Sequence, residues 1–177
     1  MKKFLFFAIA TAMLGMTFTS CDKENEDEND STVKASLEGR WDGAPAGFPY
    51  EHQNMTLIFK GNDVDVYIIP WGDHLKGTYR YENDSLYFSF KAENAFDARM
   101  YTGEDAWSWN FGDGAFNSET LELSYTEAMP YQWYPMDESD FEMDIEFLRS
   151  FSFKLTDEKT AIGGAANSHM ELEFHKK

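Results

Sequence analysis

The 177-residue chain is poor in cysteine, in proline and in positive charge. It has one cysteine, Cys21, and five prolines. A single cysteine rules out a disulfide within the chain, so the fold carries no covalent staple. Fifteen Lys and Arg stand against 32 Asp and Glu, a formal net charge of −17. Phosphate backbones and anionic lipid headgroups repel such a chain, which argues against nucleic acid and anionic membrane surfaces as partners. Gly-x-Ser-x-Gly, His-Glu-x-x-His and a phosphate-cradling glycine loop are all missing, so the chain reads as a binding protein rather than an enzyme, with no cofactor. No stretch after residue 36 reads as an amphipathic helix.

One uncharged apolar run is present, from Phe4 to Phe18, behind Lys2 and Lys3. It is shorter than the roughly 20 residues a membrane-spanning helix needs, and its basic flank suits a signal peptide over residues 1–20. The run ends at Phe18-Thr19-Ser20-Cys21, which resembles the lipobox of bacterial lipoproteins. That resemblance implies cleavage before Cys21 and lipid on its thiol. Asp22 to Asp30 follow, six of the nine acidic and none apolar. Such a segment cannot bury enough surface to repay its ordering entropy, so residues 21–36 read as a lipidated cysteine with a disordered tether. The acidic run directly after the cysteine resembles the surface-export signal of lipoproteins of the Bacteroides group. It implies an outer-membrane protein, held by its lipid and exposed at the cell surface.

Residues 37–177 carry a period-2 pattern. Leu86, Phe88 and Phe90 alternate with polar or exposed-type residues, as do Leu121, Leu123 and Tyr125. So do Phe141, Met143, Ile145 and Phe147, then Phe151, Phe153 and Leu155, then Met170, Leu172 and Phe174. Alternation of this kind puts one face of a strand on a core and the other in water. Met55–Lys60 and Val64–Ile69 add β-branched and aromatic runs. Gly61-Asn62-Asp63, Glu82-Asn83-Asp84 and Asp157-Glu158-Lys159 supply turn chemistry between runs. Eight to ten hairpin-connected strands predict an all-β domain, a single antiparallel up-and-down barrel or, alternatively, a β-sandwich.

The domain opens with Leu37-Glu38-Gly39-Arg40-Trp41. Gly39-x-Trp41 resembles the Gly-x-Trp of the first lipocalin strand, and the last strand, His169–His175, is similar to that of lipocalin-like lipoproteins of gut Bacteroides. The resemblance implies a lipocalin-like barrel with Gly39 and Trp41 as the plug of one end and Arg149 packed over Trp41. It also implies a small hydrophobic or amphipathic ligand.

Candidate ligand-binding residues are Trp71, Trp107, Trp109, Tyr131 and Trp133. Most lie in the 96–136 segment, where aromatics mix with glycine and proline. Aromatics beside turn residues line barrel mouths or form flat platforms that stack on sugars. Glycan binding is therefore an alternative function, and a structural or protein-interaction role without a small ligand is another. The same aromatics could also simply cover an irregular insertion. Trp109-Asn110-Phe111-Gly112-Asp113-Gly114 resembles a PKD-domain hairpin and reads as a local turn. His169, Glu171, Glu173 and His175 share a strand face, but a solvated outer face accounts for them as well as a metal would. Asp137, Glu138 and Asp140 lack the glycine and ligand spacing of a calcium loop and read as a solvated turn. In Trp71-Gly72-Asp73-His74 the acid and the histidine are adjacent on a strand, so their side chains point apart. The many acids leave a carboxylate pair of glycosidase type open, since separation decides that matter.

Overall fold

The computed structural model describes residues 37–47, 54–102, 105–108, 116–117, 119–123, 131–168 and 171–177. The segments expected to be a signal peptide and an acidic tether, with Cys21, and Trp109 and His169 lie outside the described residues, and so do the side chains of 100–102, 105–108 and 116.

Five strands run in sequence: β1 (Gly39–Pro45), β2 (Met55–Lys60), β3 (Asp63–Ile68), β4 (Asp73–Glu82) and β5 (Ser85–Thr102). An excursion follows, made of β6 (Asp105–Ser108), β7 (Phe116–Asn117), β8 (Glu122–Leu123), β9 (Tyr131–Pro135) and the helix α1 (Glu138–Leu148). The chain returns in β10 (Phe151–Leu155), β11 (Thr160–Ala165) and β12 (Leu172–Lys176). Each of β1 to β5 pairs antiparallel with the next, as do β10 to β12; β12 pairs with β1, and β10 with β5. The eight strands form a closed antiparallel up-and-down barrel. Closure removes the free edges a sandwich would leave, and the sandwich alternative falls with it.

Local chemistry accounts for the hairpins. Gly61 turns β2 into β3 at φ +61°. Asn83 and Asp84, at φ +51° and +56°, make the left-handed pair that a two-residue hairpin between twisted strands demands. Asp157 Oδ1 accepts from the backbone of Lys159 and Thr160, folding β10 onto β11.

The alternation sorts side chains as expected. Leu57, Phe59, Val64, Val66, Leu75, Leu86, Phe151, Phe153 and Phe174 are buried on the inner face. Each contributes on the order of 2 kcal/mol by leaving water. Trp41 fills the end where the chain enters. Its Nε1 donates to Leu37 O at 2.7 Å and its ring meets Phe153 edge-on at 5.4 Å. Lys176 Nζ, not Arg149, lies over the indole, 5.6 Å from its centroid. Arg149 is exposed and pairs with Glu146, so the expected Arg149–Trp41 packing is corrected.

The larger correction is α1. Phe141, Met143, Ile145 and Phe147 alternate with acids, yet they are helical. Asp137 caps the helix, its carboxylate accepting from the backbone of Ser139 and Asp140. Glu138 and Asp140 sit in the first turn, where the helix dipole favours negative charge. Those three acids are therefore a helix start rather than a solvated turn. Met143, inward on a strand reading, is 53% exposed, whereas Asp144 and Leu148 are buried. Of the run 121–125, residues 124 and 125 lie outside the described residues; Glu122–Leu123 form β8, paired with β7 in a separate small sheet.

Candidate ligand-binding site at the barrel mouth

Trp41 and its neighbours close one end, together with the β2–β3, β4–β5 and β10–β11 turns. The barrel is packed from there upward: Trp41, Phe59, Phe153 and Phe174 form one set of edge-on and tilted ring contacts. An open, deep interior cavity, one form of the ligand expectation, is thus not what these residues build. At the opposite end is an apolar cavity of about 250 Å³. Met55, Ile68, Trp71, Phe147, Ala165 and Leu172 are among its walls.

Trp71 gets there through the β3–β4 turn. The backbone N–H groups of Trp71 and Gly72 both donate to Ile68 O, at 3.1 and 3.0 Å, and Gly72 adopts φ +74°. That conformation favours glycine and sets the direction of the preceding indole. Phe147 reaches the same spot from α1, and the two rings meet at 5.0 Å and 64°.

Of the other predicted residues, Tyr131 and Trp133 do not join Trp71. Tyr131 and Trp133 pair with Met100 and Ala98 of β5, on the outer face. Trp133 packs there on His74 and Tyr67, at 5.4 and 6.2 Å between ring centroids. Tyr67 lies flat on His74 at 3.9 Å, and His74 Nε2 is 2.9 Å from Asp65 Oδ1. This hydrogen bond holds the Asp65 carboxyl below its ordinary range, while burial pushes the Tyr67 phenol up to about 12. The Trp107 side chain and all of Trp109 lie outside the described residues.

Strand register reveals an acidic group on the inner face that the sequence reading did not assemble. Met55 stands opposite Ile68, Ile68 opposite Asp73, and Asp73 opposite Asp97. This single row across β2 to β5 begins in the apolar cavity and ends in two carboxylates. Asp73 is 7% exposed and Asp97 5%. Like charges directly opposite each other destabilise a sheet pair. Arg99, two residues along β5 and on the same face, answers one of them, holding both oxygens of Asp97 with Nε and Nη2 at 2.6–2.9 Å. Asp97 in turn raises the Arg99 pKa.

Asp144 of α1 faces the same region. It is fully buried, and neither carboxyl oxygen has a hydrogen-bond partner. Burial, then the charge of Asp140, pushes its pKa up to about 7. Asp73 is pushed to about 8 by burial, then by the charges of Asp144, Asp97 and Asp140. Burial and the neighbouring Asp137 raise Asp140 as well. Two carboxyls therefore hold protons near neutral pH, the state expected of a buried acid without a cation. The signal in the sequence was an acid at an inward position of an alternating strand, as at Asp73.

A larger groove of about 510 Å³ runs along the outer face between Lys60, Asp63, Asp65, Lys76 and Lys91. It is an open furrow over β2 to β5 whose charged rim faces solvent, whereas the mouth cavity is walled by apolar side chains, so the mouth is the better candidate despite its smaller volume. Among the described residues no three His, Cys, Asp or Glu side chains converge as metal ligands would.

No known protein-family model, curated protein or solved structure matches the chain.

Proposed function

We propose that this chain is a lipid-anchored, surface-exposed, lipocalin-like barrel that binds a small hydrophobic or amphipathic ligand at its mouth and does not transform it. The observation that carries the reading is the apolar cavity walled by Trp71 and Phe147. Its volume lies just under the usual range for small-molecule sites, about 300–1,000 Å³, which suits one aliphatic chain or small ring. The packed lower barrel supports a rigid rim, and rigid sites lose little entropy on binding. Glycan stacking on Tyr131 and Trp133 is less well supported, because Trp133 is half-buried and already packs on His74 and Tyr67.

Quenching or enhancement of tryptophan emission during titration with 1-octanol tests the reading, with Trp71→Phe to identify the reporting indole. Saturable change that is lost in the variant is the expected result. A linear, unsaturable response removes the mouth site. Lipid attachment at Cys21 rests on the lipobox resemblance; labelling with a clickable fatty acid in the producing bacterium should mark the wild type and not Cys21→Ala. The outer-membrane, cell-surface location rests on the acidic run after Cys21, and protease accessibility on intact cells tests it.

A further inference from the structure

The acidic group adjoins the apolar cavity, although neither Asp73 nor Asp144 lines it. Ile68 lines the cavity and is the cross-strand partner of Asp73. Trp71 and Phe147, whose rings touch, lie two residues from Asp73 and three residues from Asp144. The charged groups around the two acids are Asp97 and Arg99 on β5, and Asp137 and Asp140 on α1. Arg99 is committed to Asp97 by a two-pronged contact. Among the described residues no ion pair reaches Asp73 or Asp144. Buried carboxyls are normally hydrogen-bonded or paired. Asp144, fully buried with both oxygens unpartnered, is an acceptor waiting for a donor.

We propose that the mouth selects an apolar molecule ending in a protonated primary amine, with the ammonium paired to the inward carboxylates of Asp144 and Asp73. The proposal rests on the mouth being a ligand site, and it adds the charge and the donor chemistry of the ligand. An ammonium brings three N–H donors on a compact cation, which matches two acceptor-only carboxylates. An aromatic wall such as Trp71 also attracts a cation over its face. A metal ion would need three or more converging ligands, and the described residues bring no such set together. A fatty acid would add negative charge beside acids already crowded by Asp97 and Asp140, and an alcohol would bring no charge to stabilise either carboxylate form.

The proton balance gives a signature. Near neutral pH burial keeps part of the free protein's Asp144 and Asp73 side chains protonated. When R–NH3+ enters, the carboxylate forms are stabilised: whichever of Asp144 and Asp73 is protonated loses its O–H bond and passes that proton to solvent, leaving R–NH3+ against the two –COO− groups. Binding of the amine therefore releases protons, and binding of a neutral alcohol does not.

Octylamine, 1-octanol and octanoate share one chain and differ in the head group, so they test this directly. Calorimetric titrations of the full chain at pH 7, in two buffers of different ionisation enthalpy, should show octylamine binding at least about tenfold tighter than octanol. Octanoate should bind weakest, and proton release should appear for octylamine alone. In Asp144→Asn and in Asp73→Asn the advantage of octylamine over octanol should collapse, with circular dichroism checking that each variant is folded. Octanol binding as tightly as octylamine, or octylamine binding without proton release, overturns the amine proposal and leaves the mouth site standing. Failure of all three probes to bind overturns the mouth site itself.

Discussion

Replacing Asp144 by Asn keeps the shape of the buried side chain and removes its ionisation. In the folded protein the Asp144 carboxyl is pushed from its ordinary 3.8 up to about 7 by burial and by Asp140. At about 1.4 kcal/mol per pH unit, this corresponds to roughly 4 kcal/mol of linkage between proton and fold. The sign follows from which state holds the proton. Between pH 4 and pH 7 the native chain keeps it and the unfolded chain does not. The stabilisation is therefore complete below about pH 4, is lost as pH rises to about 7, and stays lost above. Asp73, raised to about 8 and sensing Asp144 directly, stretches the decline further, since the two carboxyls titrate together. The variant should lack the share of this decline that Asp144 contributes and keep the share of Asp73, which is raised mainly by its own burial. Its amide remains buried without a partner, at a cost of about 1–3 kcal/mol. Wild type and Asp144→Asn should therefore be close at pH 5, and the variant ahead by about 1–3 kcal/mol at pH 8.5. Urea midpoints at half-unit pH steps measure the difference. Two parallel curves from pH 5 to 8.5 would refute the reasoning, because Asp144 would then be ionised or paired like an ordinary surface acid.

Trp41→Ala empties the closed end of the barrel and strips Phe153 of its edge contact; urea denaturation should report a loss of about 3–5 kcal/mol. Gly163→Ala would bring a methyl to within 2.2 Å of Ser152 O on β10. The strands cannot keep that spacing, so the thermal midpoint should drop, reflecting about 1–3 kcal/mol. Trp71→Ala takes one wall from the mouth cavity while leaving the lower core intact; 1-octanol affinity should fall about tenfold or more by calorimetry.

The barrel was legible wherever period 2 was reinforced by a turn. The β2–β3 pair announced itself through Gly61, and β4–β5 through Asn83-Asp84, because left-handed turn residues fix both position and register. The segment 137–148 misled because alternate residues in it are apolar, as in a strand. The competing signal was present: an Asp137 cap, acids in the first turn, and the pairs Phe141–Ile145 and Asp144–Leu148 at helical spacing. Periodicity alone cannot arbitrate over eight residues when both templates fit. Trp71 was legible as a mouth residue because it sits in a turn after a strand. The carboxyl group was not, since Asp97 and Asp144 are brought near Asp73 by strand register and helix docking, and both are properties of the closed barrel. Tyr131 and Trp133 carried the right chemistry, but pairing of β9 with β5 turns them outward.

The lap between β5 and β10 is only two residue pairs long, Phe151 with Leu86 and Ser152 with Ser85, against six between β2 and β3. Beyond it, Ile145 and Leu148 of α1 face Phe88 and Phe90 of β5 across a small cleft. Side-chain packing loosens more readily than a backbone ladder, since no row of hydrogen bonds must break in concert. The staves are thus continuous around most of the circumference and hinged at one clasp, where the cylinder can breathe sideways without unravelling.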